Sequence, residues 1–506
     1  MTVVSGSVRC SPIVRVSAEI GASRGDHVYA AARDAAGSVP VVRTGPTGIV
    51  ELEPLLLATD GERTGFFYSP APSTARKLAA ELDSSGLPVD RADAVVEHDR
   101  DAPSLPVPDT GPLSVGHRRV LGPCGWVDPL EPTDYELRST EQNVGATDAG
   151  ILGRGRGDAL ADESAADAWE LARETDGEPV VVVNANEPDD RQRVDRTLLA
   201  GAPIAVLDGV AAVAASVGAE DAVIYLNERE KILQRHVQRA VNAAADELQV
   251  VPDIVVGPDE YRAGAPTAAL EAMEGADRIE PRRQPPTPAE HGLYGRPTIV
   301  HTPRTFVQVQ RALCEPSSFD ADASDPGTRL VTVTGDVDAP AIVELDSTTV
   351  LAASRDAVSM DGSFKMACVG GVFGGITADL DVVPTAPSLI AAGLGTDGVV
   401  ELLCDERCAV ATAGKRASFA SRENSGRCVP GREGTKQLTE LLREIYQGSH
   451  RIDDIRELGR VMERTSNCQI GTHAPRPVVT AMDEFGPEFR EHATGRCPNG
   501  TCTENL

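Results

Sequence analysis

Two segments between residues 150 and 187 decide the fold of this chain: Gly-Ile-Leu-Gly-Arg-Gly-Arg-Gly-Asp over residues 150–158 and Val-Val-Val-Val-Asn-Ala-Asn-Glu over residues 180–187. The first is a glycine-rich loop, and the second is typical of a buried strand that ends in polar side chains. Between them, the Ala-rich amphipathic pattern of residues 163–173 predicts a helix. No apolar strand precedes the glycines, so the order strand, turn and helix of a dinucleotide fingerprint is not met.

The glycine-rich loop is a candidate phosphate site. Glycines let backbone N–H groups approach an anion closely, and the N-terminus of a following helix adds a positive dipole end. Arg154 and Arg156 supply forked hydrogen-bond donors. Glycine-rich segments before helices are also ordinary turns, so both interpretations stand on spacing alone.

The composition predicts a folded, acidic protein of several domains. The 506 residues can build sizeable cores, and 41% of them are hydrophobic. Acidic residues outnumber basic ones 77 to 48, giving a formal net charge of −29, and they are distributed through all segments. This pattern is typical of adaptation to high salt, as in halophiles. Repulsion from phosphates argues against nucleic acid as a partner.

The sequence carries no targeting signal that we recognise. The N-terminus lacks the basic start and apolar run of a signal peptide, and no apolar segment approaches the ~20 residues needed to cross a bilayer. Peripheral membrane association stays open. Ten cysteines are too sparse for a disulfide scaffold, and seven of them lie from Cys368 onward, which predicts metal or cluster chemistry near the C-terminus. We therefore expect a cytoplasmic protein with reduced thiols.

A series of short motifs resembles one protein family. Gly153-Arg-Gly155, Asn184-Ala-Asn-Glu187 and Asp195-Arg196 are similar to motifs of the flavin- and NADH-binding subunit of respiratory complex I and its relatives in NAD-linked hydrogenases and formate dehydrogenases. Four more matches follow in the family's order, over residues 264–271, 285–286, 292–298 and 426–434. The order of the matches carries the resemblance, which covers nearly the whole chain.

The resemblance implies an α/β multidomain fold. The expected units are a degenerate thioredoxin-like domain (1–108), a flavin/NADH-binding-like α/β domain (109–325), a ubiquitin-like β-grasp domain of the SLBB type (326–400), a helical iron–sulfur-binding-region-like domain or bundle (401–490) and a cysteine-containing tail (491–506). In the first unit, Pro46 and Thr47 stand where hydrogenase-type relatives carry cluster cysteines, and Cys10 is its one thiol. We expect that unit to be a structural or docking module. In the second unit, Asn227 is expected to cap a helix that runs to Leu248.

Within the second domain, the resemblance also implies cofactor contacts. The glycine loop with Arg154 is expected to hold the phosphate of FMN, and Glu187 is the expected catalytic residue beside the nicotinamide of NADH. The other candidate cofactor-binding residues are Gly153, Gly155, Asn184, Asn186, Gly264 and Thr305.

Several of these positions depart from the family pattern. Asn186 replaces an aspartate, and Arg156 replaces a glycine, so its side chain is expected to fill space that the cofactor needs. Where relatives read Gly-Glu-Glu-Thr, this chain reads Gly264-Ala-Pro-Thr267, and Gln284 and Thr287 replace a lysine and a phenylalanine. A stacking ring contributes about 0.5–1.5 kcal/mol beyond its burial, and a hydrogen bond to a charged group about 1.5–3 kcal/mol. The substitutions together predict weakened NADH binding.

The cysteines near residue 430 are similar to half of a cluster site. Relatives place four thiolates on a [4Fe–4S] cluster; here Ser425 and Gly431 replace two of them, and Cys428 and Cys468 remain. Cys404 or Cys408 could restore the ligand count. Alternatively, the two remaining cysteines are small buried residues, as unpaired cysteines commonly are.

The C-terminal tail offers a second metal site. His492, Cys497 and Cys502 are sensible zinc ligands, although a fourth is needed. The alternative is a disordered tail.

Three functions follow from these patterns. The family's activity is electron transfer from NADH through FMN and an iron–sulfur centre to other subunits of a redox complex. The alternative is a non-catalytic scaffold paralogue that has lost NADH and cluster binding while keeping the fold. A third is a flavin- or nucleotide-binding sensor without a cluster.

Overall fold

The computed structural model describes residues 12–137, 149–156 and 162–500. Over these ranges the chain forms three larger sheets, a two-stranded ribbon and a C-terminal group of helices. Four residues singled out above lie outside the described residues: Cys10, Gly157, Asp158 and Cys502.

The N-terminal unit alternates strands and helices as the sequence predicts. Its elements are β1 (Ile13–Ser17), α1 (Ser23–Arg33), β2 (Val41–Thr44), β3 (Leu55–Asp60), β4 (Arg63–Tyr68), α2 (Pro72–Ser85) and β5 (Ala94–Glu97). The strand order is β2-β1-β3-β4-β5, with β1 parallel to β2 and the other pairs antiparallel. In the apolar run of β3, Leu56 packs toward the two helices, whereas Leu55 and Leu57 join a core shared with the third unit. Both faces of this sheet are therefore buried.

The second unit is built on a four-stranded parallel sheet. Its elements are β6 (Leu152–Gly153), β7 (Glu163–Ser164), α3 (Ala165–Glu174), β8 (Val180–Ala185), α4 (Val194–Gly201), α5 (Pro203–Val217), β9 (Asp221–Asn227), α6 (Lys231–Ala244), β10 (Asp253–Gly257), α7 (Pro266–Met273), α8 (Pro288–His291), β11 (Thr298–His301) and α9 (Pro303–Cys314). The strand order is β10-β9-β8-β11. The four valines of β8 are buried on both faces, which is what a central parallel strand requires. The predicted helix over 163–173 and the predicted strand over 180–183 are confirmed.

One expectation for this unit is wrong. Asn227 does not cap a helix that runs to Leu248; it is the last residue of β9, and α6 begins only at Lys231 and ends at Ala244. The Asn227 amide instead donates to Asn186 Oδ1 at 2.9 Å and to Asp259 Oδ1 at 3.1 Å. The side chain is used to tie strand ends together, so the helix begins one turn later.

The length of the apolar helices decides whether any of them could cross a bilayer. Among the described residues, no single helix is long and apolar enough to span a membrane. The pair α4 and α5 reaches that length only in combination, and it is bent by 100° at the break.

The third unit is a mixed five-stranded sheet. Its elements are β12 (Arg329–Gly335), β13 (Ala341–Leu345), β14 (Phe364–Val369), β15 (Gly375–Thr377), α10 (Ala386–Ala391) and β16 (Val399–Cys404). The order is β13-β12-β16-β14-β15, with β12 and β16 parallel. The alternating apolar pattern after Gly327 predicts two strands joined by a turn, and β12 and β13 confirm it. Residue 400 is the predicted end of the β-grasp domain. Because β16 pairs with both β12 and β14, the sheet continues past that residue.

The C-terminal unit is helical. Its elements are α11 (Ala409–Glu423), α12 (Thr435–Tyr446), α13 (Ile452–Thr465), α14 (Gln469–His473), α15 (Arg476–Glu484) and α16 (Gly486–His492). The apolar periodicity of residues 436–446, 453–464 and 475–482 predicts three helices, and α12, α13 and α15 confirm them. Their apolar faces meet in one core that also contacts β14 and β16 through Met366, Cys368 and Leu403.

Candidate functional site

A cavity of about 780 Å³ lies between the glycine-rich loop, the ends of β8 and β11, and the loop that holds Cys468. In open α/β sheets, ligands bind outside the carboxyl ends of the strands, which is where this cavity lies. Of the predicted cofactor residues, four line it: Gly153, Arg154, Gly155 and Asn184. The remaining predicted residues, Asn186, Glu187, Gly264 and Thr305, stand behind this lining.

The Arg154 side chain anchors the loop through a buried ion network. Its guanidinium contacts Asp162 at 2.9 Å and Asp325 at 2.6 Å, and Arg329 contacts the same two carboxylates. All four side chains are at most 4% exposed. Burial alone would raise the pKa of Asp325, but Arg154 and Arg329 bring it below its usual range. Two guanidinium nitrogens of Arg154 are thereby committed to carboxylates, and a role as phosphate ligand stays a prediction.

The backbone of the loop is fixed by the start of α9. Thr305 Oγ1 accepts a hydrogen bond from Arg154 N at 2.9 Å, and Thr302 Oγ1 donates to Arg154 O at 2.9 Å. Pro303 occupies the first helical turn, as its sequence position predicts. Thr305 therefore supports the loop from behind.

Arg156 ties the loop to the end of β8. Its guanidinium forms ion pairs with Glu187 and, at 3.2 Å, with Asp195, and it donates to the Asn184 carbonyl. The Arg156 side chain is 3% exposed. Burial raises the pKa of Glu187 to about 8, although Arg156 acts in the opposite direction. The predicted catalytic carboxyl is thus engaged within the protein.

Asn184 presents an unsatisfied polar atom at the cavity. Its Nδ2 donates to the Gly264 carbonyl at 2.8 Å, which fixes the orientation of the amide. Its Oδ1 is buried and has no hydrogen-bond partner within the described part of the chain. A buried acceptor left unpaired costs about 1–3 kcal/mol. This position therefore fits a ligand that carries an N–H or O–H donor.

Asn186 has a different role from Asn184. Its Nδ2 donates to the Pro258 carbonyl at 3.1 Å, and its Oδ1 accepts from Asn227 at 2.9 Å. Asn186 is completely buried. It cross-links the ends of β8 and β9 and does not line the cavity.

His301 is a cavity residue that sequence reasoning did not select. Trp169 Nε1 donates to His301 Nε2 at 3.0 Å, which places the ring proton of the neutral imidazole on Nδ1. Burial lowers the pKa of His301 to about 4. The sequence does indicate His301 in one respect, because it lies at the end of an apolar strand, directly before the helix that fixes the loop.

Cys428 and Cys468 meet at the far end of this region. Their sulfur atoms are 3.1 Å apart, and Cys468 also lines the cavity. Gly431 N donates to Cys428 Sγ at 3.2 Å, and Gly471 N donates to Cys468 Sγ at 3.4 Å. The structure thus brings together the two predicted residual cluster ligands.

The side chains around this pair do not fit a [4Fe–4S] cluster. Four thiolates are required, and the motif positions of the other two are occupied by Ser425 and Gly431. Cys408, considered above as a replacement, lies in a different group. A side chain at position 431 would begin 2.6 Å from Cys468 Sγ, so the space of a third ligand is already filled by the sulfurs.

A second group of metal-ligand types lies beside α16. The ligand atoms of Cys408, His492 and Cys497 are all within 4.8 Å of one another. His492 Nδ1 lies 2.8 Å from the Glu488 carbonyl and donates to it, which leaves Nε2 facing Cys408 Sγ at 3.6 Å. Two predicted zinc ligands, His492 and Cys497, are therefore together. The sequence missed Cys408 because it lies 84 residues before His492 in the chain.

Comparison with known proteins identifies two regions. Residues 146–311 match the Nuo51 FMN-binding domain, and residues 411–492 match the NADH-ubiquinone oxidoreductase-F iron-sulfur binding region. The chain is 28% identical to the NADP-reducing hydrogenase subunit HndC of Solidesulfovibrio fructosivorans over 424 residues, covering 76% of this chain and 85% of that protein. It is 29% identical to one of the subunits of the NADH-quinone oxidoreductase of Streptomyces coelicolor, covering 65% of this chain and 79% of that protein.

The fold is also similar to a solved structure. The NAD+-reducing [NiFe]-hydrogenase in the H2-reduced state superposes with a TM-score of 0.66 at 22% identity, covering 97% of this chain and 86% of the other. The likeness of fold spans all four units of the chain. In these two regions and against its sequence relatives, this chain is similar to subunits of NADH-quinone oxidoreductases and of NAD- and NADP-reducing hydrogenases.

Proposed function

We propose that this chain binds FMN in the cavity, accepts reducing equivalents there from NADH, and passes electrons to another subunit of a redox complex. The observation that carries the proposal is the buried, unpaired Oδ1 of Asn184 in a cavity beside a glycine-rich loop. The cavity volume of about 780 Å³ lies within the range of about 300–1,000 Å³ that is usual for cofactor sites. The match to an FMN-binding domain over residues 146–311 supports the same cofactor.

The residues present fit FMN. Backbone N–H groups of the loop around Gly153 and Gly155 would hold the phosphate, and Asn184 would accept a hydrogen bond from the flavin ring. Bound FMN would supply the ability to take up a hydride and release electrons. The chain's own contribution is orientation and the exclusion of water, with neutral His301, held by its hydrogen bond from Trp169, forming part of one wall.

Arg156 limits the affinity of the cavity for the nicotinamide of NADH. Because its guanidinium already neutralises Glu187, a substrate that needs this carboxylate must compete with an intramolecular ion pair. Gln284 and Thr287 also line the cavity, beside Arg282 and Arg283, and they lack the cation and the ring of the lysine and phenylalanine that they replace. NADH binding is therefore weaker than a site with these groups intact would give.

The direct test is FMN binding to the full chain purified anaerobically. We expect one FMN per chain, and we expect N184A to raise its Kd about tenfold, equivalent to about 1.4 kcal/mol. Q238A, on the exposed face of α6, is the matched control and should leave the Kd unchanged. If the unaltered protein binds no FMN, the scaffold function replaces this one.

We infer a zinc site at Cys408, His492 and Cys497 in the same protein. The three ligand types and their mutual distances suit tetrahedral zinc, and the contact from His492 Nδ1 to Glu488 O is the outer hydrogen bond that orients ligating histidines. One zinc per chain by elemental analysis is expected. C408S should lose it, whereas C368S, which alters a buried cysteine of β14, should keep it.

We also infer the domain identities from topology. The order β1-α1-β2 followed by antiparallel β3 and β4 and then α2 supports a thioredoxin-like unit without its cluster. The mixed sheet β12–β16 supports a β-grasp unit. Both units offer surfaces for the other subunits of a redox complex.

A further inference from the structure

Gly431 allows two sulfur atoms to meet. An atom added as Cβ at this position would lie 2.6 Å from Cys468 Sγ and 2.9 Å from Cys428 Sγ, so any side chain here would push the sulfurs apart. With glycine, the sulfurs approach to 3.1 Å. Two zinc–sulfur bonds of about 2.3 Å at a tetrahedral angle would hold sulfurs about 3.8 Å apart, so this spacing leaves no room for a shared metal ion.

The surroundings of the pair favour thiolate chemistry. Each sulfur receives a backbone N–H, from Gly431 in one case and from Gly471 in the other. Donors of this kind stabilise negative charge on sulfur, and the thiolate is the reactive form in disulfide exchange.

The pair also has access to the cavity. Cys468 and its neighbours Ser466, Asn467 and Gln469 form one wall, opposite the loop that carries Arg154. Cys428 stands behind Cys468 and is buried. An electron donor bound in the cavity therefore has access to the Cys468 sulfur at the cavity wall.

We propose that Cys428 and Cys468 form a redox-active dithiol–disulfide couple that accepts two electrons from reduced flavin in the cavity, an inference that rests on the proposed function. In the oxidised form, the two sulfurs share one S–S bond. That bond takes up two electrons and one proton from the reduced flavin anion and breaks. One sulfur leaves as a thiol and the other as a thiolate, while the flavin returns to its oxidised form. The couple stands where the four-thiolate cluster would otherwise be.

The first experiment tests the couple without flavin. The full chain, free of iron and flavin, is reduced, separated from the reductant and incubated with excess oxidised glutathione, and thiols are then counted with a maleimide after denaturation. We expect ten thiols in the reduced protein and two fewer after oxidation, with peptide mapping that joins residues 428 and 468. An unchanged count, or a linkage between other cysteines, would overturn the couple.

Single substitutions distinguish oxidation of the Cys428–Cys468 pair from oxidation of other cysteines. C468S and C428S should each lose the two-thiol change, whereas C368S should retain it. G431A keeps both cysteines but adds a methyl group between them, so we expect at least a tenfold slower oxidation. Circular dichroism spectra of all variants must match the unaltered protein, and an unaltered rate in correctly folded G431A would contradict the geometric argument.

The second experiment tests the link to flavin. The FMN-loaded protein with the pair oxidised receives one equivalent of NADH without oxygen, and thiols are counted as before. Two thiols should reappear in the unaltered protein and none in C468S. If NADH bleaches the flavin and no thiols appear, the electron transfer proposed here is wrong. If FMN does not bind, the proposed function fails, and the glutathione experiment without flavin still decides whether the couple exists.

Discussion

The cavity and the thiol pair are neighbouring parts of one site, yet the substitutions have affected them differently. The cavity is bounded by strand ends, a backbone loop and a buried ion network that also stabilise the fold. A [4Fe–4S] site depends on four thiolate side chains, and this chain has Ser425 and Gly431 at two of the four positions. A site built from the backbone and core of a fold is retained with the fold, whereas a site built from a few side chains can change its chemistry while the fold persists.

The largest effect that we expect is on the free energy of unfolding, and it tests whether the ion network holds the cavity. D325A removes a carboxylate that contacts Arg154 and Arg329, leaving buried positive charge, and should lower the free energy of unfolding by about 3–5 kcal/mol. Urea denaturation measures it. The exposed pair of Arg460 with Glu457 provides the control, and R460A should cost less than about 1 kcal/mol. A loss for D325A as small as that for R460A would mean that the network does not hold the cavity.

The next effect concerns pH. The pKa of His301 is lowered to about 4 in the folded protein, below the unfolded value of 6.5, so the unfolded state binds more protons between these values. The contribution of His301 to stability is present above pH 6.5 and is lost as the pH falls through 4. We expect a loss of about 3 kcal/mol over this window.

The matched variant for the pH measurement is H301Q. A glutamine oxygen can still accept from Trp169, but it does not titrate. Urea denaturation at several pH values should give a shallower slope for H301Q than for the unaltered protein. Parallel slopes would show that His301 is not the titrating group and that the cavity wall is more hydrated than its burial indicates.

The smallest effect concerns NADH. R156A removes the contact that occupies Glu187, so the carboxyl group becomes available to the substrate as a hydrogen-bond donor, because burial raises its pKa to about 8. We expect Kd for NADH to fall about tenfold, or about 1.4 kcal/mol. R235A removes the same charge from the exposed face of α6 and should have no effect. Weaker NADH binding in R156A would instead mean that the arginine itself contacts the substrate.

Much of the fold could be predicted from the sequence because its signals were local. The valine run of β8 and the periodic apolar faces of α12 and α13 predict their own structure. Asn227 was misassigned because a good capping residue also suits a strand end, and only its tertiary contacts with Asn186 and Asp259 separate the two.

The candidate site was less predictable than the fold. The glycine loop and Asn184 were found through short motifs. Asp325, which holds Arg154, lies 171 residues from it, and charge pairing across that distance leaves no periodic signal. The meeting of Cys408 with His492 and the closure of two sulfurs over Gly431 likewise arise from packing of helices that are distant in the chain.

The central claim is that the flavin cavity is intact while the cluster position holds a thiol pair. The most direct measurement is the flavin and iron content of the chain after anaerobic purification in high salt. We predict close to one FMN and no stoichiometric iron per chain. About four irons per chain, the content of one [4Fe–4S] cluster, would contradict the claim.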